Sequence, residues 1–110
     1  MDEISRKVRH FVYETFQHST RAPYCEEIMK KFNLTRKDVE TIIDNMHDRH
    51  LIHKIPNAAS HRILFAWPFS NLPTPHQVVT ESNKTYYGCC ICDAIAIPDT
   101  LQEDGKVKTI

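Results

Sequence analysis

Through the first fifty residues the apolar positions recur at three- and four-residue spacing, and beyond them the pattern shortens into strand-like runs. In residues 1–18, Ile4, Val8, Phe11, Val12, Thr15 and Phe16 make one stripe, which predicts a helix with a single buried face. The stretch His18-Ser19-Thr20-Arg21-Ala22-Pro23 breaks it. A second helix is expected from near Pro23, a residue suited to a first helical turn, carrying Ile28, Met29 and Phe32 inward. Glu26 and Glu27 near its start complement the positive end of the helix dipole. After a turn at Asn33-Leu34, Thr35-Arg36-Lys37-Asp38 approximates a capping box, with Asp standing where Glu or Gln is usual. Val39, Ile42, Ile43 and Met46 then follow at helical spacing.

Leu51-Ile52-His53-Lys54-Ile55 reads as a short strand, residues 56–60 as a turn, and residues 61–67 as the returning strand. Three helices followed by a hairpin is the winged-helix pattern. The next segment, residues 65–76, is rich in aromatic residues and proline. Its prolines cannot donate ladder hydrogen bonds, so it is expected to run extended across a surface, its aromatic groups walling an apolar pocket or covering the domain's own core. Residues 77–80 and 84–87 read as two strands joined by the turn Glu81-Ser82-Asn83, and residues 105–110 as one further strand.

Composition adds mainly exclusions. A hydrophobic fraction of 41% and a charged fraction of 25% are ordinary for a globular protein of 110 residues. Fourteen Lys and Arg balance fourteen Asp and Glu, so there is no net basic field to draw in nucleic acid. The third helix repeats this locally: Arg36, Lys37 and Arg49 are set against Asp38, Glu40, Asp44 and Asp48, a poor arrangement for neutralising phosphates. DNA is therefore not an expected partner. No apolar run is long enough to span a bilayer and no signal-like leader is present, so a cytoplasmic setting with reduced thiols is expected.

The candidate chemistry lies in Tyr86-Tyr87-Gly88-Cys89-Cys90-Ile91-Cys92-Asp93-Ala94-Ile95-Ala96-Ile97-Pro98. The pattern predicts a strand ending at Gly88, which permits a sharp turn, and a short helix over residues 89–97 stopped by Pro98. Cys90 and Asp93, three residues apart, would share a face that Ala94 and Ile97 continue. A thiol in a first helical turn meets exposed backbone N–H groups and the positive end of the dipole, which favours the thiolate. Asp93 would stand beside it as proton donor or carboxylate ligand. A single free cysteine is often just a small buried hydrophobe, but three in four residues followed by an aspartate argue for chemistry. Soft thiolates select soft metals; no second Cys or Cys/His pair follows at zinc-finger or ribbon spacing. His47, His50 and His53 sit among charges near a helix end and suggest no metal site. Cys25 is an isolated thiol.

These residues resemble the organomercurial (alkylmercury) lyases. The likeness runs from the winged-helix-like part, through Trp67-Pro68-Phe69-Ser70 and Pro73-Thr74-Pro75-His76, to Tyr87-Gly88-Cys89-Cys90-Ile91-Cys92-Asp93-Ala94. It implies an α+β fold with a winged-helix-like domain over residues 1–67 and a lyase-like segment over 68–110 carrying a strand hairpin and the Cys/Asp helix. By the resemblance Cys90 falls on the family's first catalytic cysteine, Asp93 on its catalytic aspartate, and Pro98 where the family's helix ends. The implied reaction is protonolysis of a carbon–mercury bond in mercury detoxification. Mercury is the substrate ion, no resident cofactor is needed, and low-molecular-weight thiols or a mercuric reductase are the implied mercury acceptors. The family's second catalytic cysteine lies in a downstream β-rich portion with no counterpart in this sequence. Either the chain is a shortened relative, or Cys89, Cys92 or a second chain supplies that thiol. Three outcomes are set against one another: a lyase, a non-enzymatic thiophilic-metal binder or metal-responsive winged-helix regulator using Cys89, Cys90 and Cys92, and an interaction domain whose cysteines are merely buried.

Overall fold

The computed structural model describes residues 2–55 and 61–109; the turn expected over residues 56–60 lies outside them. Helices α1 (Glu3–Ser19), α2 (Cys25–Phe32) and α3 (Arg36–Asp48) come first. Strands β1 (His53–Lys54), β2 (Ile63–Ala66) and β3 (Phe69–Ser70) form one antiparallel sheet in that order. Strands β4 (His76–Thr80) and β5 (Thr85–Gly88), helix α4 (Ile91–Leu101) and strand β6 (Gly105–Thr109) complete the chain. Their sheet has the order β5-β4-β6, antiparallel throughout. The fold is α+β. Among the described residues no helix is long and apolar enough to cross a membrane.

The helices begin and end where local chemistry dictates. The Asp2 carboxylate accepts from the Ser5 N–H at 2.8 Å and caps α1. The Thr35 hydroxyl accepts from the Asp38 N–H while the Asp38 carboxylate accepts from the Thr35 N–H, so the capping box forms with Asp in the third position. At α2 the Glu27 side chain takes the N–H of the N-cap Tyr24, which moves the start of the helix beyond Pro23. Left-handed Thr20 and Asn33 close α1 and α2.

Two expectations are corrected. Residues 65–76 do not run extended across a surface: the chain turns at Trp67-Pro68 and Phe69-Ser70 pairs back on Phe65-Ala66. The two-residue turn places Phe69 at 2% exposure against Phe16 (ring centroids 5.3 Å apart) and Tyr86 (5.6 Å). Burying such a ring contributes about 1.5–3 kcal/mol, which a surface path would forgo. The last helix, in turn, neither starts at Cys89 nor stops at Pro98. It runs Ile91–Leu101 with Pro98 inside. Proline removes the N–H that would meet the Ala94 carbonyl, a cost of about 3 kcal/mol in a helix interior. Its fixed φ still suits the residues after it. Ile97 is fully buried, Leu101 packs on the core, and left-handed Gln102 makes the end.

One apolar core runs from Val8, Val12 and Phe16 of α1 through Ile43 and Met46 of α3 to Phe69, Val78, Tyr86, Ala94 and Ile97. It crosses the sequence boundary at residues 67/68 without interruption. The Tyr86 hydroxyl donates to the Gln17 carbonyl at 2.6 Å, tying β5 to α1. Burial pushes that phenol up from its ordinary value.

The β1–β2 hairpin rests on α3 through ionisable groups. His53 stacks on Phe65 at 4.2 Å and lies 5.6 Å from the His47 ring and 5.9 Å from the His50 ring. The Lys54 N–H donates to His47 Nδ1, Lys54 pairs with Asp44, and His61 faces Glu40 and Asp44. Burial, then the neighbouring His47 and His50, lower the His53 pKa below its ordinary value. Such a group takes up a proton more readily in the unfolded chain. Its contribution to stability is therefore complete above the ordinary histidine value and is lost as pH falls below about 6.5. The Asp44 carboxyl, lowered chiefly by Lys54, loses its contribution only in the more acidic carboxylate range. Urea unfolding at pH 7.5 and pH 5.5 should show a smaller pH-dependent loss of stability in His53→Gln than in wild type. Equal losses in the two proteins would refute the assignment.

Candidate active site

The sequence-predicted chemistry gathers where β5 hands the chain to α4. Strand β5 ends at Gly88, whose backbone lies so close to α4 that an added Cβ would stand 2.5 Å from the Ala94 nitrogen. Gly88 is required for this approach and not for a left-handed turn, since no glycine here has positive φ. Its carbonyl accepts from the Thr74 hydroxyl at 2.6 Å, which pins the strand end to the loop before β4. Cys89 and Cys90 therefore leave the sheet edge in a fixed direction.

Cys90 is the N-cap of α4, with extended φ −142° and ψ 176°, and its thiol does not cap the helix. Its carbonyl accepts from the Ala94 N–H at 3.0 Å. Asp93 occupies the first turn, three residues on, where the open N–H groups and the dipole favour negative charge. Ala94 and Ile97 line the buried side of the helix, whereas Cys90, expected on the face they continue, is an exposed N-cap. Cys89, Cys90 and Cys92 are all exposed, which disposes of the buried-cysteine reading; only Cys25 is buried, and burial pushes its thiol up.

The three exposed cysteines are not equivalent. Cys89 precedes the helix, so the face it would share with Cys92 on a regular helix does not exist. Cys89 is exposed as a residue, but desolvation of its sulfur is the largest cause raising its pKa. The neighbouring Asp93 carboxylate and Cys90 raise it further, while a hydrogen bond with Ser70 opposes them. Ser70 is buried, and its hydroxyl also donates to the Leu72 carbonyl at 2.8 Å and accepts from the Leu72 N–H. Its single proton serves the Leu72 carbonyl or the Cys89 sulfur, one at a time. Cys92 lies within the first turn of α4, two residues beyond the N-cap Cys90.

Two side chains at the site carry no chemical signature in the sequence. One is Ser70. The other is Trp67, whose indole N–H donates to Asp93 Oδ1 at 2.9 Å across 26 residues of sequence. Their signal was Trp67-Pro68-Phe69-Ser70 itself, which the sequence offers as a matching motif with no role attached. Among the described residues no three His, Cys, Asp or Glu side chains come together to hold a metal ion. His53 packs its ring against those of His47 and His50.

No family model matches the sequence, and neither does any curated protein. Among solved structures the chain is similar to the mercury-bound form of MerB2, an organomercurial lyase, at TM-score 0.70 and 17% identity. The match covers 97% of this chain and 49% of that one, so the chain spans about half the length of the structure it resembles. At this identity the likeness is one of fold. The resemblance in sequence thus has a counterpart in architecture along nearly the whole chain.

Substituting Gly88→Ala should force the first turn of α4 away from β5. Loss of stability of about 1–3 kcal/mol is expected, the range of overpacked sites, together with altered thiol reactivity at residues 89 and 90. Thermal melts and timed alkylation with mass spectrometry check both; unchanged alkylation at Cys89 and Cys90 would show that the contact does not position them.

Proposed function

We propose that the chain is an organomercurial-lyase-like enzyme that cleaves carbon–mercury bonds by protonolysis. The observation that carries this reading is the placing of Cys90 as the N-cap and Asp93 in the first turn of α4, with Cys89 feeling the charge of both, within a fold shared over 97% of the chain with a mercury-bound structure. Soft thiolates suit mercury, and an adjacent carboxyl supplies the acid.

Cys90 takes the mercury of a thiol-complexed alkyl- or arylmercury, releasing the carrier thiol. Cys89 is the second ligand, favoured over Cys92 because it shares the electrostatic surroundings of Asp93 and Cys90. Its raised pKa keeps it a thiol in the resting protein. As its sulfur binds mercury its proton passes to Asp93, and Asp93 delivers a proton to the carbon as the carbon–mercury pair leaves with that carbon. The balance is closed: two cysteine thiols and one thiol-bound organomercurial become a hydrocarbon, a free thiol and mercury held by two thiolates. Low-molecular-weight thiols or a mercuric reductase then accept the ion. Asp93 is also available to ligate the product, and Cys92 remains an auxiliary thiol. We place this chemistry in the cytoplasm, where thiols stay reduced, on a winged-helix-like scaffold of α1–α3 and the β1–β2 hairpin that serves as support and not as a DNA reader.

The rival is a non-enzymatic mercury binder or metal-responsive regulator on the same cysteines. Its support is that the chain spans only about half of the structure it resembles. Single-turnover protonolysis separates the two. Reduced protein mixed with phenylmercury and excess thiol should release benzene above the thiol-only background, read by gas chromatography. Cys90→Ser should abolish release, and Asp93→Ala should slow it by at least about a hundredfold, the lower range of general acid catalysis. Cys89→Ser should impair it more than Cys92→Ser. Mercury bound with no benzene released would establish the binder, and DNA affinity that falls on adding Hg(II) would establish the regulator.

A further inference from the structure

We propose that Trp67 is the positioning residue of this site: its indole N–H fixes the Asp93 carboxylate, and its exposed ring walls the space where the hydrocarbon group of the substrate lies. The inference rests on the reading above for its catalytic part. Its structural part stands on the geometry alone.

An indole N–H donates and cannot accept, so Trp67 holds Asp93 Oδ1 without competing for the proton. Oδ2 is left as the oxygen that receives a proton from a neighbouring thiol and passes it on. A carboxylate on a surface helix turn otherwise rotates freely, and an acid that must meet one carbon atom gains from a fixed orientation. The support behind Trp67 is buried. It sits in the two-residue turn between β2 and β3, with Ala66, Pro68 and Phe69 buried on either side and Phe69 stacked on Phe16. The turn is thus anchored in the α1 core while its tip reaches α4. Despite that anchoring, 55% of Trp67 remains exposed. A large aromatic ring left open and bonded to the acid that neighbours Cys89 offers an apolar surface to an alkyl or aryl group, which hydrogen bonding to Asp93 alone would not require.

Trp67 is the chain's single tryptophan, so its indole N–H gives one resonance in a proton–nitrogen correlation spectrum. In wild type that resonance should lie downfield and exchange slowly with solvent; in Asp93→Ala it should move upfield and exchange faster. A resonance indifferent to Asp93→Ala would overturn the proposal whatever the activity. Single-turnover cleavage gives the second arm. Trp67→Phe, which keeps a ring and loses the donor, should slow hydrocarbon release on the order of tenfold to a hundredfold while leaving capture of phenylmercury and the melting temperature unchanged. Trp67→Ala should weaken capture of phenylmercury in addition. Release by Trp67→Phe at the wild-type rate would overturn the positioning role, and phenylmercury capture unchanged in Trp67→Ala would overturn the wall. Wild type that shows the indole response but releases no hydrocarbon would instead sink the lyase reading, leaving Trp67 as the residue that orients Asp93 for mercury binding.

Discussion

The contact of Gly88 with the backbone of Ala94 is the constraint on which the site depends. A strand end and a helix start can approach this closely only where one residue lacks a Cβ. The approach sets the two residues between them, Cys89 and Cys90, at the junction of sheet and helix instead of inside either. Cys90 becomes an N-cap and Asp93 enters the first turn, where backbone N–H groups are unpaired. Cys89 is drawn toward Ser70 and Asp93. A looser junction would give the same residues without the same neighbourhood.

That junction is held in place by a core that ignores the division of the chain into helical and strand-rich halves. Phe69 stacks on Phe16 of α1 and meets Tyr86 of β5, while the Tyr86 hydroxyl reaches the Gln17 carbonyl. Offset aromatic pairs of this kind add about 0.5–1.5 kcal/mol each beyond the area they bury. The consequence for chemistry is indirect. The turn that buries Phe69 carries Trp67 at its tip, so packing on one side of the hairpin aims a hydrogen-bond donor at Asp93 on the other.

Ionisable groups fall into two separate neighbourhoods. Around α3 and the β1–β2 hairpin, histidines and acids make a fastening in which burial and the neighbouring histidines lower the His53 pKa. Around α4, the charges and thiols are few, exposed and adjacent, with no three-ligand metal cage among the described residues.

Local physics was legible in the sequence. The stripe of Val8, Val12 and Phe16, the Thr35–Asp38 capping box, and the β4–β5 hairpin each depend on residues within a few positions of one another. The grouping of Cys89, Cys90, Cys92 and Asp93 was equally plain, because spacing along the chain needs no fold. Long-range competition decided the rest. Pro98 sits inside a helix because Ile97 and Leu101 gain burial on either side of it, and β6 takes its place beside β4 because the sheet offers it an open edge. Trp67 meets Asp93 because a hairpin anchored 26 residues earlier reaches α4, and Cys89 feels the Asp93 charge because a missing Cβ at Gly88 lets the strand end approach the helix. Sequence spacing fixed which groups were present; only packing between distant elements fixed which of them touch.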